Sequence, residues 1–241
     1  MPNFSGSTIT GQPAFSTSTT ALHAVGTQAV TRDGRKYRYV KAGGTDLVVG
    51  NALQAPVEDT DHDDIAVRVT DAGSTALLIT TGSGSGALDV NEYAEGYAVV
   101  DTTPGLGYVY RIASHAAIAA STDGTINLVA EDSIQVALTA SSKVTLVKNP
   151  YNGVIQMPAS TLTNAVVGGA IYVIGDGEFG WIQSGGAGAA LISGTPGAGQ
   201  PVTVSGTAGA LAVHSAELPN LAHMMATGRS GKVCPVFWLL D

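Results

Sequence analysis

Seven consecutive residues, Glu58, Asp59, Thr60, Asp61, His62, Asp63 and Asp64, set five carboxylates and one imidazole side by side. Hard cations are held by oxygen ligands, so the first chemistry to weigh here is a calcium site. The run lacks the EF-hand spacing and its central glycine. It is therefore read as a solvated acidic stretch, with no metal and no cofactor expected. A second charged group lies nearby. Arg32, Arg35, Lys36, Arg38 and Lys41 hold five of the chain's eleven basic residues within ten positions. Opposed patches of this kind orient docking more than they stabilise a fold. Both groups are accordingly candidate assembly contacts, paired within or between subunits or set against an acidic partner surface.

Other reactive side chains lack a pattern that would make them work. The histidines, His23, His62, His115, His214 and His223, form no HxH, HExxH or HxxxH pair, so no zinc site is expected. Cys234 sits in an apolar stretch and reads as a buried structural thiol. The Gly82–Gly86 stretch mimics a nucleophile elbow but lacks the strand–turn–helix context. Two carboxylates, Asp176 and Glu178, fall in a Gly-Asp-Gly turn, which does not hold a glycosidase pair at fixed separation. No P-loop or dinucleotide fingerprint is present. Trp181, Trp238, Tyr172, Phe179 and Phe237 gather in the last seventy residues and are assigned to a barrel core, with a sugar-stacking platform as the sharper alternative. No catalytic residue is assigned, and the chain is not expected to be an enzyme.

The elements that position these residues read as strands. Lys36-Tyr37-Arg38-Tyr39-Val40 alternates basic and aromatic side chains after an Asp33-Gly34 hairpin signal, so Tyr37 and Tyr39 should share one face. Short strands are expected at 65–69, 76–80, 97–101, 107–112, 125–129 and 143–147, with Gly, Pro and Asp turns between them. Beyond the turn cluster at 149–153, strands are expected at 170–174, 180–184, 199–204 and 232–240, with a flexible glycine loop at 185–188. The fold class is all-β: two small β-barrel or sandwich domains with an extended N-terminal arm. The expected division is an arm at 1–25, a hairpin plus central domain at 26–150, and a glycine-rich barrel at 151–241.

Composition bounds the partners. The chain has 241 residues, 12% of them charged, about half the ~25% of ordinary soluble domains. Its net charge is −8, which argues against a nucleic-acid backbone as partner. With one cysteine, no intrachain disulfide forms. No secretory leader is expected at the N-terminus, and no apolar run reaches the roughly 18 residues of a membrane span.

Several stretches resemble tailed-bacteriophage head decoration (capsid cement) proteins. They are Gly26 to Tyr39, Asn91 to Val100, Gly107 to Ile112 with Ser114-His115, Lys148 to Val154, Gly180 to Gln183, and Pro235 to Leu239. The resemblance implies a structural virion protein, made in the host cytoplasm, on the outer surface of the capsid. Its partner would be the major capsid protein, whose lattice it would clamp as a homotrimer. The sequence departs from that pattern at Met224-Met225 and Gly228-Arg229, where a small-residue strand and turn are expected. The alternatives are a receptor- or glycan-binding fibre domain, a polysaccharide-degrading enzyme, and a cell-surface adhesion domain.

Overall fold

A computed structural model describes residues 12–84 and 86–241. It is all-β. Among the described residues the only helical element is a 3-10 turn at Thr60–His62, and no helix is long and apolar enough to cross a membrane. Two compact units are present. One, the split unit, joins Met1–Val57 to Pro150–Asp241, and the inserted unit is Glu58–Asn149. Residues 26–57 therefore pack with the C-terminal part of the chain, not with the central domain as expected.

The split unit opens with β1 (Gln28–Val30), β2 (Lys36–Ala42) and β3 (Ala52–Gln54). The inserted unit follows as β4 (Ile65–Val67), β5 (Ala76–Thr80), β6 (Tyr97–Val100), β7 (Val109–His115), β8 (Asp123–Leu128) and β9 (Lys143–Val147). The chain returns with β10 (Asn152–Gln156), β11 (Val166–Ala170), β12 (Phe179–Ile192) and β13 (Pro201–Val204). It ends with β14 (Leu211–Val213), β15 (Ala222–Met224) and β16 (Lys232–Leu239).

The inserted unit is a closed, fully antiparallel barrel in the order β4-β5-β8-β7-β6-β9. Closure removes exposed edges. The period of two sends Leu77, Ile79, Ala98, Val100, Ile112, Ile126 and Val144 inward, each without exposed surface. Each such large aliphatic side chain contributes about 1.5–3 kcal/mol by leaving water.

In the split unit two five-stranded circuits share one strand. The first runs β2-β10-β3-β11-β12 and the second β12-β14-β13-β15-β16. β12 serves both because it is 14 residues long. Phe179 to Gly185 pair with β2, and Gly185 to Ile192 pair with β16. Each circuit has its own core, Val40, Leu47, Leu53, Val154 and Ile182 in the first, Ile192, Val202, Leu211, Val236 and Trp238 in the second. The expected flexible loop at 185–188 is thus the middle of the longest strand. Its glycines are there because space is short. Gly186 has φ +80 with the Arg35 backbone against it, and a Cβ on Gly188 would sit 2.5 Å from the Gln183 amide oxygen.

This topology also explains why 26–57 belongs where it does. β2 zips to β12 over its length and also meets β10. β3 pairs with β10 through Gln54↔Ile155 and Leu53↔Gln156. The inserted unit is thus spliced between two directly paired strands.

Candidate functional site

The basic hairpin forms as read. β1 and β2 pair from Gln28↔Arg38 to Val30↔Lys36. Gly34 closes the turn at φ +83, donating to the Thr31 carbonyl at 3.0 Å. Tyr37 and Tyr39 point inward, at 1% and 0% exposure, and pack with Ala29 and Trp181. Lys36 and Arg38 lie on the other face of β2, Lys41 follows the tyrosines, and two of the hairpin's cations are already engaged. Arg35 Nε donates to Asp33 at 2.9 Å. The Arg38 fork donates twice to the Asp241 carboxylate, both at 2.8 Å, and a third time to the Gly26 carbonyl at 3.0 Å. Lys41 Nζ stands 5.8 Å over the Phe179 ring, and Arg32 is exposed.

The hydrogen bonds from Arg38 hold the Asp241 carboxyl below its ordinary value of 3.8, against the opposing effect of burial. A lowered carboxyl stabilises the fold above its ordinary pKa and ceases to do so as pH falls through the lowered one. Asp241→Ala should therefore cost about 1 kcal/mol at neutral pH, the upper end for a solvent-screened ion pair. The gap to the parent in urea melts should close as pH drops below 3.8. A gap unchanged in acid would show that Asp241 acts through packing.

The expected arm divides. Residues 1–11 lie outside the described residues. Residues 12–25 are held against the split unit. The Gln12 side-chain oxygen accepts from Tyr39 OH at 2.6 Å, and its carbonyl accepts from Trp181 Nε1 at 3.1 Å. Ser18 and Phe179 exchange both backbone bonds.

The acidic run is more than a solvated stretch. Asp59 caps the Thr60–His62 turn by accepting from the Asp61 amide. That turn drives His62 to 1% exposure, where its Nδ1 meets the buried Tyr93 hydroxyl. Asp59 Oδ2 is 3.6 Å from the same nitrogen. Glu58, Asp61 and Asp64 are exposed and Asp63 is half-buried. Behind Tyr93, His115 Nε2 accepts the Tyr93 amide at 3.1 Å, so its Nδ1 carries the proton toward the Ala116 carbonyl at 2.9 Å. Lys148 Nζ pairs with Glu92 at 2.8 Å and stands 5.5 Å over the Tyr93 ring.

Burial, followed by the charges of Glu92, Asp59 and Asp63, pushes the Tyr93 phenol up, so it stays protonated. Burial alone would raise Glu92, but the Lys148 ammonium and the Asp89 amide bond together outweigh it and the carboxyl is held low. Asp59, His62 and Glu92 have ligand atoms within 4.8 Å of one another, the spacing of a possible cation cage. Lys148 already neutralises Glu92, and Tyr93 occupies His62 Nδ1. As built, the cluster is a polar node that ties the acidic run to the barrel through His62 and Tyr93, with the His62 Nε2 buried and without a hydrogen-bond partner among the described residues.

Among the remaining reactive groups, His23 packs its ring against Tyr39 and Trp181, and its buried Nε2 has no hydrogen-bond partner among the described residues. His214 bonds the Leu218 carbonyl and His223 the Asn220 amide. Cys234 is 1% exposed and accepts from the Arg229 amide. Trp181 and Trp238 are core, as expected, but Tyr172 and Phe237 are 43% and 46% exposed. Phe237 neighbours the buried Trp238 on β16, and strand alternation turns it outward. Sequence reasoning missed Glu92, Tyr93, Lys148 and Asp241, whose side-chain to side-chain partners lie 31 to 203 residues away. No protein-family model, curated protein or solved structure matches the chain.

Proposed function

We propose that this chain is a structural virion protein that binds the outer surface of a bacteriophage capsid and stabilises the major capsid protein lattice. The observation that carries the reading is its surface. Large apolar side chains stand exposed on both units, among them Val69, Val90, Leu106 and Val109 on the barrel and Val48, Val49, Val233 and Phe237 on the split unit. Apolar side chains exposed on a sparsely charged shell suit many weak contacts repeated over a lattice, where binding accumulates by multivalency. The stretches that resemble capsid cement proteins supply strands and turns of this scaffold, and the histidines, the cysteine and the acidic pairs have structural roles.

The test is co-sedimentation with undecorated phage heads. The protein should pellet at a fixed ratio to the major capsid protein and raise the temperature at which heads rupture. Reversing Arg32, Arg35 and Lys36 to Glu should weaken that binding at least tenfold, because docking charges act through orientation and encounter. A protein that stays in the supernatant and instead binds cell-surface polysaccharide would sink the cement reading in favour of a glycan-binding fibre domain.

A further inference from the structure

Charge is distributed unevenly between the two units. Residues 1–57 and 150–241 carry seven basic and six acidic side chains, a net of +1. Residues 58–149 carry four basic and thirteen acidic ones, a net of −9. The chain's −8 therefore resides wholly in the inserted unit.

The split unit presents an uncharged apolar face. The outward residues of β16 are Val233, Pro235, Phe237 and Leu239, all exposed. Across the ladder on β12 they meet Leu191, Ala189, Ala187 and Gly185. Small residues on one strand and large ones on its neighbour give a ridge beside a shallow floor. β16 pairs on both sides, with β12 and β15, so its backbone is satisfied and a partner must be gripped by side chains rather than by strand addition. The floor continues into a groove of about 220 Å³ walled by Phe15, Val49, Ala189 and Val233, with Arg35, already paired with Asp33, at its side. Cations mark both ends of the ridge. Lys232 starts β16, and Lys36 lies over Gly185, opposite Leu239.

We infer that this face docks on the acidic inserted unit of a second copy of the chain. An apolar centre with a cationic rim fits an acidic surface that itself exposes apolar groups. The inserted unit has such a surface, with Glu58, Asp61, Asp64 and Asp89 exposed and Val90 exposed beside the last. Pairing the face with itself about a two-fold axis would instead set Lys36 and Lys232 against the same cations of the partner, which is disfavoured. The contact is therefore head-to-tail, the face of each copy on the inserted unit of the next. This does not rest on capsid binding, since the assembly would form without heads.

The experiment is light-scattering mass of the purified protein, at low salt and at about 1 M salt, where charge attraction is screened to about 3 Å. Multiples of the 24.3 kDa chain should appear at low salt and dissociate as salt rises. Phe237→Asp, at an exposed position, should return a single-chain mass while keeping the parent's circular dichroism. Lys232→Glu, which leaves the apolar face intact, should raise the concentration needed for association at least tenfold. Adding Glu58→Lys and Asp61→Lys to Lys232→Glu should restore part of that loss. A single-chain mass at every salt and concentration overturns the proposal. So does an assembly that ignores both Phe237→Asp and Lys232→Glu, or one that strengthens with salt.

Discussion

Trp181→Ala is expected to destabilise the split unit by about 3–5 kcal/mol, the usual cost of emptying a buried aromatic site. The indole has no exposed surface and meets the Tyr39 ring edge-on at 5.1 Å and the His23 ring at 5.4 Å. Truncation leaves a cavity between β2 and β12, the two strands whose pairing closes the first circuit. It also removes the Nε1–H that holds the Gln12 carbonyl. Residues 12–25 should then become sensitive to limited proteolysis before the strands do. Trp181→Phe fills most of the volume without that donor, so it separates the two effects. It should recover most of the stability but leave the segment cleavable. Equal protection of residues 12–25 in Trp181→Phe and the parent would show that the segment is held by its other bonds, those of the Gln12 side chain, Ser18 and Leu22 to Phe179 and Tyr39. The same geometry bears on truncation. Removing the first twenty residues would expose Trp181 and Tyr39, so such a deletion tests folding as well as assembly.

The fold class was legible because strand alternation is a local signal. Lys36-Tyr37-Arg38-Tyr39-Val40 shows its period and its hairpin turn within nine residues, and its buried tyrosines follow. Pairing was not legible. β2 lies against β12 some 140 residues later, and nothing in either stretch states the register Trp181↔Tyr39. Three-residue strands such as β3 and β14 give too few alternations to register, and β11 was expected four residues late because Gly168 and Gly169 hide its pattern. A Cβ on Gly169 would meet the Trp238 ring at 2.5 Å, so the glycine that blurs the sequence signal is what lets the second core close. The site divides in the same way. The basic cluster was visible as composition, but its engagement by Asp241 was not. The acidic run was visible too, yet the one residue of it that enters the core, His62, is chosen by a buried tyrosine 31 positions on.

Gly96→Ala is expected to cost the inserted unit about 3 kcal/mol, the upper end of ordinary overpacking, because the obstacle is backbone and has no rotamer to yield. A Cβ at this position would lie 2.3 Å from the Val147 carbonyl oxygen, 3.0 Å from that of Tyr93 and 3.1 Å from the Asn149 amide nitrogen. Gly96 is also tied in place on both sides, donating to the Tyr93 carbonyl at 3.0 Å and accepting from the Ile112 amide at 2.9 Å. The turn cannot retreat without breaking one of these bonds, and it is the turn that hangs Tyr93 over His62 and His115. Two consequences are measurable together. For a unit of this size each kcal/mol lowers the melting temperature by about 4–8 °C, so the barrel transition should fall by well over ten degrees. The protection of the Tyr93 amide against hydrogen exchange should fall with it, since its acceptor, His115 Nε2, must shift. Gly107→Ala is the control. It has φ +87 but open space around its missing Cβ, so it pays only the backbone strain of about 1 kcal/mol. If the two substitutions proved equally costly, steric closure at β6 and β9 would not be what Gly96 provides. Unequal losses in the expected order would place the tightest backbone contact of the barrel beside its polar node, where the acidic run is anchored.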